Sequence, residues 1–294
     1  MKSDYFIQKF FGYMSERKYL ETIRYNKSIQ KRINLNINHY KEYSEKFSSI
    51  EIEIKPMKYK YGKFIDIYEY KKYYHIFFND NKSKEIKRTS INEDDEVSKI
   101  NIIIDHQVES FYELFDSCYC IESICFKKFY RNNITNIGWM FYNCESLKEL
   151  NLNNFNTDNV TDMNHMFCGC SSLKELNLNK FNTDNVTDMN HLFCGCSSLK
   201  ELNLNNFKTN NVTNMEGMFF GCFSLTKLNI NNLNTNNVTN MSYMFFECYS
   251  LKELNLNNFN INKIYVRCMF TGCSDELKLK IKNKFKNLNE NAFL

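Results

Sequence analysis

The 294-residue chain is predicted to fold as a repeat solenoid, a stack of coils in which each unit buries its apolar face only against its neighbours. Three observations predict it. Leu147, Leu173, Leu199, Leu225 and Leu251 recur every 26 residues. The segment SLKELNLN stands at 146–153, 172–179, 198–205 and 250–257, with SLTKLNIN at 224–231. Between the copies runs a second block, FNTDNVTDM at 155–163 and 181–189, loosened to FKTNNVTNM at 207–215 and LNTNNVTNM at 233–241.

Residues 1–48 precede this array as a helical segment. Phe6, Phe10 and Phe11, then Tyr19, Leu20, Ile23, Ile29 and Ile33, recur at helical spacing, with Ser15 as a candidate cap. Residues 49–96 form a small β capping unit. There Ile50, Ile52 and Ile54, and then Tyr73, His75 and Phe77, alternate with their neighbours, and Asn79–Asp80–Asn81 marks a turn. The array itself spans 97–282 as about eight coils, from Val97, Ile100 and Ile102 to Cys273, Leu279 and Ile281.

Each L-x-x-L-x-L segment is expected as a short parallel strand with its leucines inward. Val160, Met163 and Phe167 sit at near-helical spacing behind Thr161, which predicts a short helical or 3₁₀ turn on the opposite side. Lys278, Lys280, Lys282 and Lys284 alternate along the last strand, where they would guard an unpaired edge. Residues 283–294 remain as a C-terminal tail.

Hydrophobic residues make up 43% of the chain, enough for a core, which excludes global disorder. Net charge is +4, with the basic excess at the two ends and fifteen acidic against nine basic residues over 101–250. No basic stripe runs along the array, so nucleic acid is not an expected partner. Asp4, Gln8 and Lys9 interrupt the apolar N-terminus, and no run approaches 18 apolar residues. Neither a secretory signal nor a membrane span is expected, and the inference is an intracellular, cytoplasmic monomer.

The repeat M-F-x-G-C-S-S-L-x-x-L-N-L-x-x-F-N-T-x-N-V-T-D-M resembles the BspA-type leucine-rich repeat of bacterial surface proteins and large protist families. Five close copies cover 140–268, and degenerate copies extend the likeness to roughly 97–281. The resemblance implies a leucine-rich-repeat fold, adhesion or protein recognition, and no catalytic residues. A fainter likeness over 4–35, short amphipathic helices ahead of repeats, is to F-box adaptor proteins of ubiquitin ligases.

Seven of the twelve cysteines form one column: Cys118, Cys144, Cys170, Cys196, Cys222, Cys248 and Cys273. They read as small buried thiols rather than disulfides. His165–Cys168–Cys170 and His191–Cys194–Cys196 have the residue types of a zinc site, but other coils carry Trp139, Gly217 or Tyr243 and Tyr142, Phe220 or Phe246 in those columns. No metal or other cofactor is expected. Asn133, Asn159, Asn185, Asn211 and Asn237 each open an N-x-T sequon, either a glycosylation acceptor or a structural ladder of side chains. The five histidines lack a nucleophile and an orienting acid at recognisable spacing, so no enzyme is expected.

Outward strand positions supply the candidate partner-binding residues. They stack as lysines (Lys148, Lys174, Lys200, Lys252), glutamates (Glu149, Glu175, Glu201, Glu253) and asparagines (Asn151, Asn177, Asn203, Asn229, Asn255). Thr226 and Lys227 break the Lys-then-Glu order. The predicted function is a non-catalytic protein-interaction scaffold using this face. A surface adhesin exported without a standard signal and the ubiquitin-ligase adaptor are the alternatives.

Overall fold

A computed structural model describes residues 26–32, 48–261 and 265–294. The chain forms two compact units, 1–48 and 49–294. Within the first, helix α1 spans Lys27–Arg32. The helices expected around Phe6–Phe11 and Tyr19–Ile23, the Ser15 cap, and most of the stretch likened to F-box proteins lie outside the described residues.

The second unit opens with strands β1 (Ile50–Pro56), β2 (Gly62–Lys63), β3 (Tyr74–Phe78), β4 (Glu85–Ile86), β5 (Ser90–Ile91), β6 (Ile100–Ile104) and β7 (Ile121–Lys128). Three-residue strands β8 (Glu149–Asn151), β9 (Glu201–Asn203) and β10 (Lys227–Asn229) follow, then helix α2 (Asp275–Lys284). Six strands form one mixed sheet in the order β4-β3-β6-β1-β7-β8. Every pairing in it is antiparallel except that of β7 with β8. Alternation in β1 and β6 buries Ile50, Ile52, Ile54, Ile100, Ile102 and Ile104. In β3 the phase is opposite to expectation, with Tyr74 and Ile76 inward and His75 half-buried.

The predicted leucine-rich-repeat solenoid, with a continuous parallel β face and helical turns opposite, is therefore not the fold observed. Sheet-rich antiparallel structure dominates, and strand geometry in the repeats shrinks to β8, β9 and β10. Asparagine chemistry explains the short strands. The Oδ1 atoms of Asn151, Asn177, Asn203, Asn229 and Asn255 each accept from the backbone amide two residues on, at 3.0–3.4 Å. That Asx turn offers the chain an alternative to the ladder and ends the strand.

The expected helical turns fail for a separate reason. Trp139, His165, His191, Gly217 and Tyr243 all hold φ between 52° and 59°, left-handed values that a right-handed helix excludes. Alternate amides instead close tight turns and bond the following repeat. Cys168 donates to the His165 carbonyl at 3.0 Å, whereas Phe167 donates to the Leu192 carbonyl at 3.0 Å. Thr161, expected as a helix cap, donates its hydroxyl to the Thr135 carbonyl at 3.2 Å.

Single parallel bridges join successive repeats through Ser110, Asn136, Asp162, Asp188, Asn214, Asn240 and Tyr265. Inside, Phe115, Phe141, Phe167, Phe193, Phe219, Phe245, Phe270 and Phe293 stack at centroid spacings of 5.5–5.8 Å. Beside them each column cysteine from Cys144 to Cys273 donates its thiol to a phenylalanine carbonyl, at 3.0 Å for Cys144 and 3.2 Å for the others. Burial pushes these thiols well above their ordinary range.

At the far end the expected eighth strand, through Leu279 and Ile281, is helix α2. Ser274 caps it by accepting from the Leu277 amide, and Asp275 and Glu276 occupy the first turn with Lys282 and Lys284 in the last. Leu277 and Ile281 face the core at helical spacing, and Leu279 is 61% exposed. The lysines therefore guard no strand edge; Lys280 instead pairs with Glu276 at 2.7 Å, one helical turn away. After α2 the chain returns to the repeats, where Cys268 donates to the Asn291 carbonyl and Phe270 to that of Ala292.

Candidate functional site

Outward direction is set by the leucines on either side. Leu173 and Leu178 are buried and pin each segment to the core, while the middle leucine, Leu176, is only half-buried. Lys174, Glu175 and Asn177 between them are exposed. Fourteen of the fifteen expected partner-binding residues are exposed, and Asn229 is half-buried.

A groove of about 810 Å³ gathers part of this set. Glu175, Asn177, Glu201, Asn203, Thr226, Lys227, Asn229, Lys252 and Glu253 line it. Glu149 and Asn151 on β8 and the preceding Lys148 do not line it, nor do Lys174, Lys200 and Asn255. Glu276, which the sequence reading missed, completes the lining from α2. Its signal was present in Ser274-Asp275-Glu276, a capped acidic helix start hidden by the apparent leucine spacing.

Charge in the groove is only partly neutralised. Lys227 Nζ lies 2.5 Å from Glu201 Oε1, and Lys280 approaches Glu276 at 2.7 Å and Glu253 at 3.8 Å. The Lys280 hydrogen bond holds the Glu276 carboxyl below the usual carboxylate range. Glu175 makes no ion pair among the described residues. The asparagines are less free than the sequence suggests, since each spends Oδ1 on its own turn. Outside the groove Lys148 and Lys55 share Glu122 at 3.0 and 2.6 Å and lower its pKa.

The zinc-like constellation forms a ring column instead. His165 and His191 stack at 4.7 Å with 10° between planes, and Trp139 covers His165 at 4.2 Å. Gly217 leaves room for this column, because a Cβ there would meet His191 Nε2 at 2.6 Å. Burial and the neighbouring His191 push the His165 pKa down to about 4, so its imidazole is neutral near pH 7. Cys168 shares a hydrogen bond with Cys194, and that bond and burial raise the Cys168 thiol. Among the described residues no group of three or more His, Cys, Asp or Glu is placed to hold a metal ion.

The sequon residues form a second, uncharged surface. Asn133, Thr135, Asn159, Thr161, Asn185, Thr187 and Asn211 line an open trough of about 570 Å³. Each asparagine donates Nδ2 to a carbonyl of the preceding repeat, as Asn185 does to Asp158 at 2.8 Å.

No helix among the described residues is long and apolar enough to cross a membrane. No curated protein and no solved structure matches the chain. Two overlapping stretches, 109–203 and 196–290, match one family, and together they cover more than half of the sequence. The 26-residue repeats thus place this chain in the family described as "Mycoplasma protein of unknown function, DUF285".

Proposed function

We propose that the chain is a non-catalytic protein-binding scaffold, and that its partner docks in the groove bounded by β9, β10 and α2. The observation that carries this reading is the groove itself: nine of the residues expected to bind a partner line it together. Their side chains contribute little to the core, so they are free to vary without cost to folding. The BspA-type resemblance of the repeat supports the same reading, since that family's implied role is recognition.

A photo-crosslinking amino acid at position 203, in cells of the source organism, tests the proposal. A discrete crosslinked partner is expected from position 203, and none from position 158 outside the groove. Glu201→Lys with Glu253→Lys should abolish the product while leaving the unfolding midpoint unchanged, because exposed ion pairs contribute only about 0–1 kcal/mol each. Equal crosslinking from position 158, or an undiminished product in the double variant, would refute the groove as the site.

A further inference from the structure

The Asn/Thr trough carries side chains whose order is already fixed before any ligand arrives. Thr161, Thr187, Thr213 and Thr239 each donate a hydroxyl to the threonine carbonyl one repeat earlier, at 3.1–3.3 Å. Asn159, Asn185, Asn211 and Asn237 each commit one amide proton to the preceding repeat, at 2.6–2.8 Å. The threonine hydroxyl protons and one amide proton per asparagine are spent inward, and what remains outward is a row of hydroxyl and amide oxygens with the second amide proton of each asparagine. Parallel-bridged backbones lie about 4.8 Å apart, so the row repeats at that interval.

Its end differs from its middle. Tyr265 donates its backbone amide to the Thr239 carbonyl at 3.0 Å, as each threonine does to the one before it. The next rung of the threonine ladder is therefore a tyrosine, and it is 74% exposed. An exposed ring at the end of a polar row offers an apolar face with a polar tip beside the ladder.

Charge selects the class of ligand. Among the described residues no lysine or arginine lines the trough, so its lining lacks what phosphate-bearing polymers require. Asp158, whose carbonyl anchors Asn185, is exposed and would repel polyanions, while the Asp184 carboxylate is paired with Lys208 at 3.0 Å. The lining also lacks the aromatic and arginine anchors that dominate protein interfaces. A neutral polymer rich in hydroxyl donors, with units repeating in one direction and an apolar ring face, complements all of these features.

We propose that the Asn/Thr ladder binds a neutral, linear polysaccharide lying along the direction of the repeats, with Tyr265 stacking on a sugar ring at one end. Each rung contributes a weak contact with little ordering cost, because the ladder is already held in place. Affinity should rise with chain length until the rungs are filled.

Isothermal titration of the full chain with cellohexaose, chitohexaose and laminarihexaose, and with the matching disaccharides, tests this. At least one hexaose should bind, about tenfold or more tighter than its disaccharide. Thr161→Arg with Thr187→Arg should weaken that hexaose by about tenfold or more, as should Tyr265→Ala, which keeps the backbone bond to Thr239. Glu201→Lys in the separate groove should leave hexaose binding unchanged, so failure of the scaffold reading and of this one are distinguishable. No binding by any hexaose, equal binding by hexaose and disaccharide, or unchanged binding in both ladder variants would overturn the proposal. Capture of heparin instead of neutral sugars would overturn it too, and would direct attention to the basic ends.

Discussion

At the scale of single residues, His75 shows how local charge is held in the sheet. Its Nδ1 lies 2.9 Å from Glu85 Oε1 and its Nε2 3.2 Å from Asp105 Oδ2. Burial opposes the charged form, but the bonds to Asp105 and Glu85 together outweigh it and raise the His75 pKa above 6.5. A raised histidine stabilises the fold fully below its unfolded pKa and loses that contribution as pH rises through the folded one. Thermal midpoints should therefore fall between pH 6 and pH 8 more steeply in the native chain than in His75→Gln. Identical pH slopes in the two proteins would show that the carboxylate clamp does not stabilise the imidazolium. Arg131 is a second such case, fully buried and donating to the carbonyls of His106 and Ile104. Nothing in the local sequence distinguishes it from a surface arginine.

Elements in the repeats are graded from inside to outside within one short segment. Leu178 is 1% exposed, Leu176 half-buried and Lys174 exposed, although 176 and 178 carry the same residue. Leu178→Ala should cost about 2–5 kcal/mol, as buried leucines do when truncated. Leu176→Ala should cost distinctly less, and Lys174→Ala under about 0.5 kcal/mol. Denaturant midpoints of the three variants give the order directly, and a larger loss at 176 than at 178 would contradict it. The grading is particular to this repeat, since Leu202, the equivalent of Leu176, is 3% exposed beside the same Asx turn at Asn203. Leucine spacing alone predicts both as equally buried.

Across the whole second unit, stability is relayed from repeat to repeat through the phenylalanine stack and the parallel bridges. The mixed sheet joins the repeats through the parallel pairing of β7 with β8, and the phenylalanine stack runs on to Phe293. Phe293 covers Phe270 at 5.7 Å, and the carbonyls of Asn291 and Ala292 accept from the amides of Cys268 and Phe270. Deleting residues 290–294 should lower the thermal midpoint and raise hydrogen exchange first in repeats near 268–273. Unchanged exchange there would mean that the terminal turn is not part of the relay. Cooperative stacking also predicts that the loss spreads toward the middle rather than remaining local.

Periodicity by itself determined a good deal about this protein. The 26-residue interval, the buried cysteine column, the isoleucine alternation in β1 and the outward Lys/Glu pairs are all legible as spacing, because spacing encodes which side of the chain meets water. What the tertiary structure decided is which backbone groups pair. Whether Ile100–Ile104 joins a parallel face or lies antiparallel between β1 and β3 depends on segments dozens of residues away. Whether Leu277 and Ile281 belong to a strand or a helix turns on the Ser274 cap, and with it comes Glu276 as a wall of the groove. In the repeats, asparagine side chains compete with neighbouring carbonyls for the same amides, and only the assembled stack settles that competition.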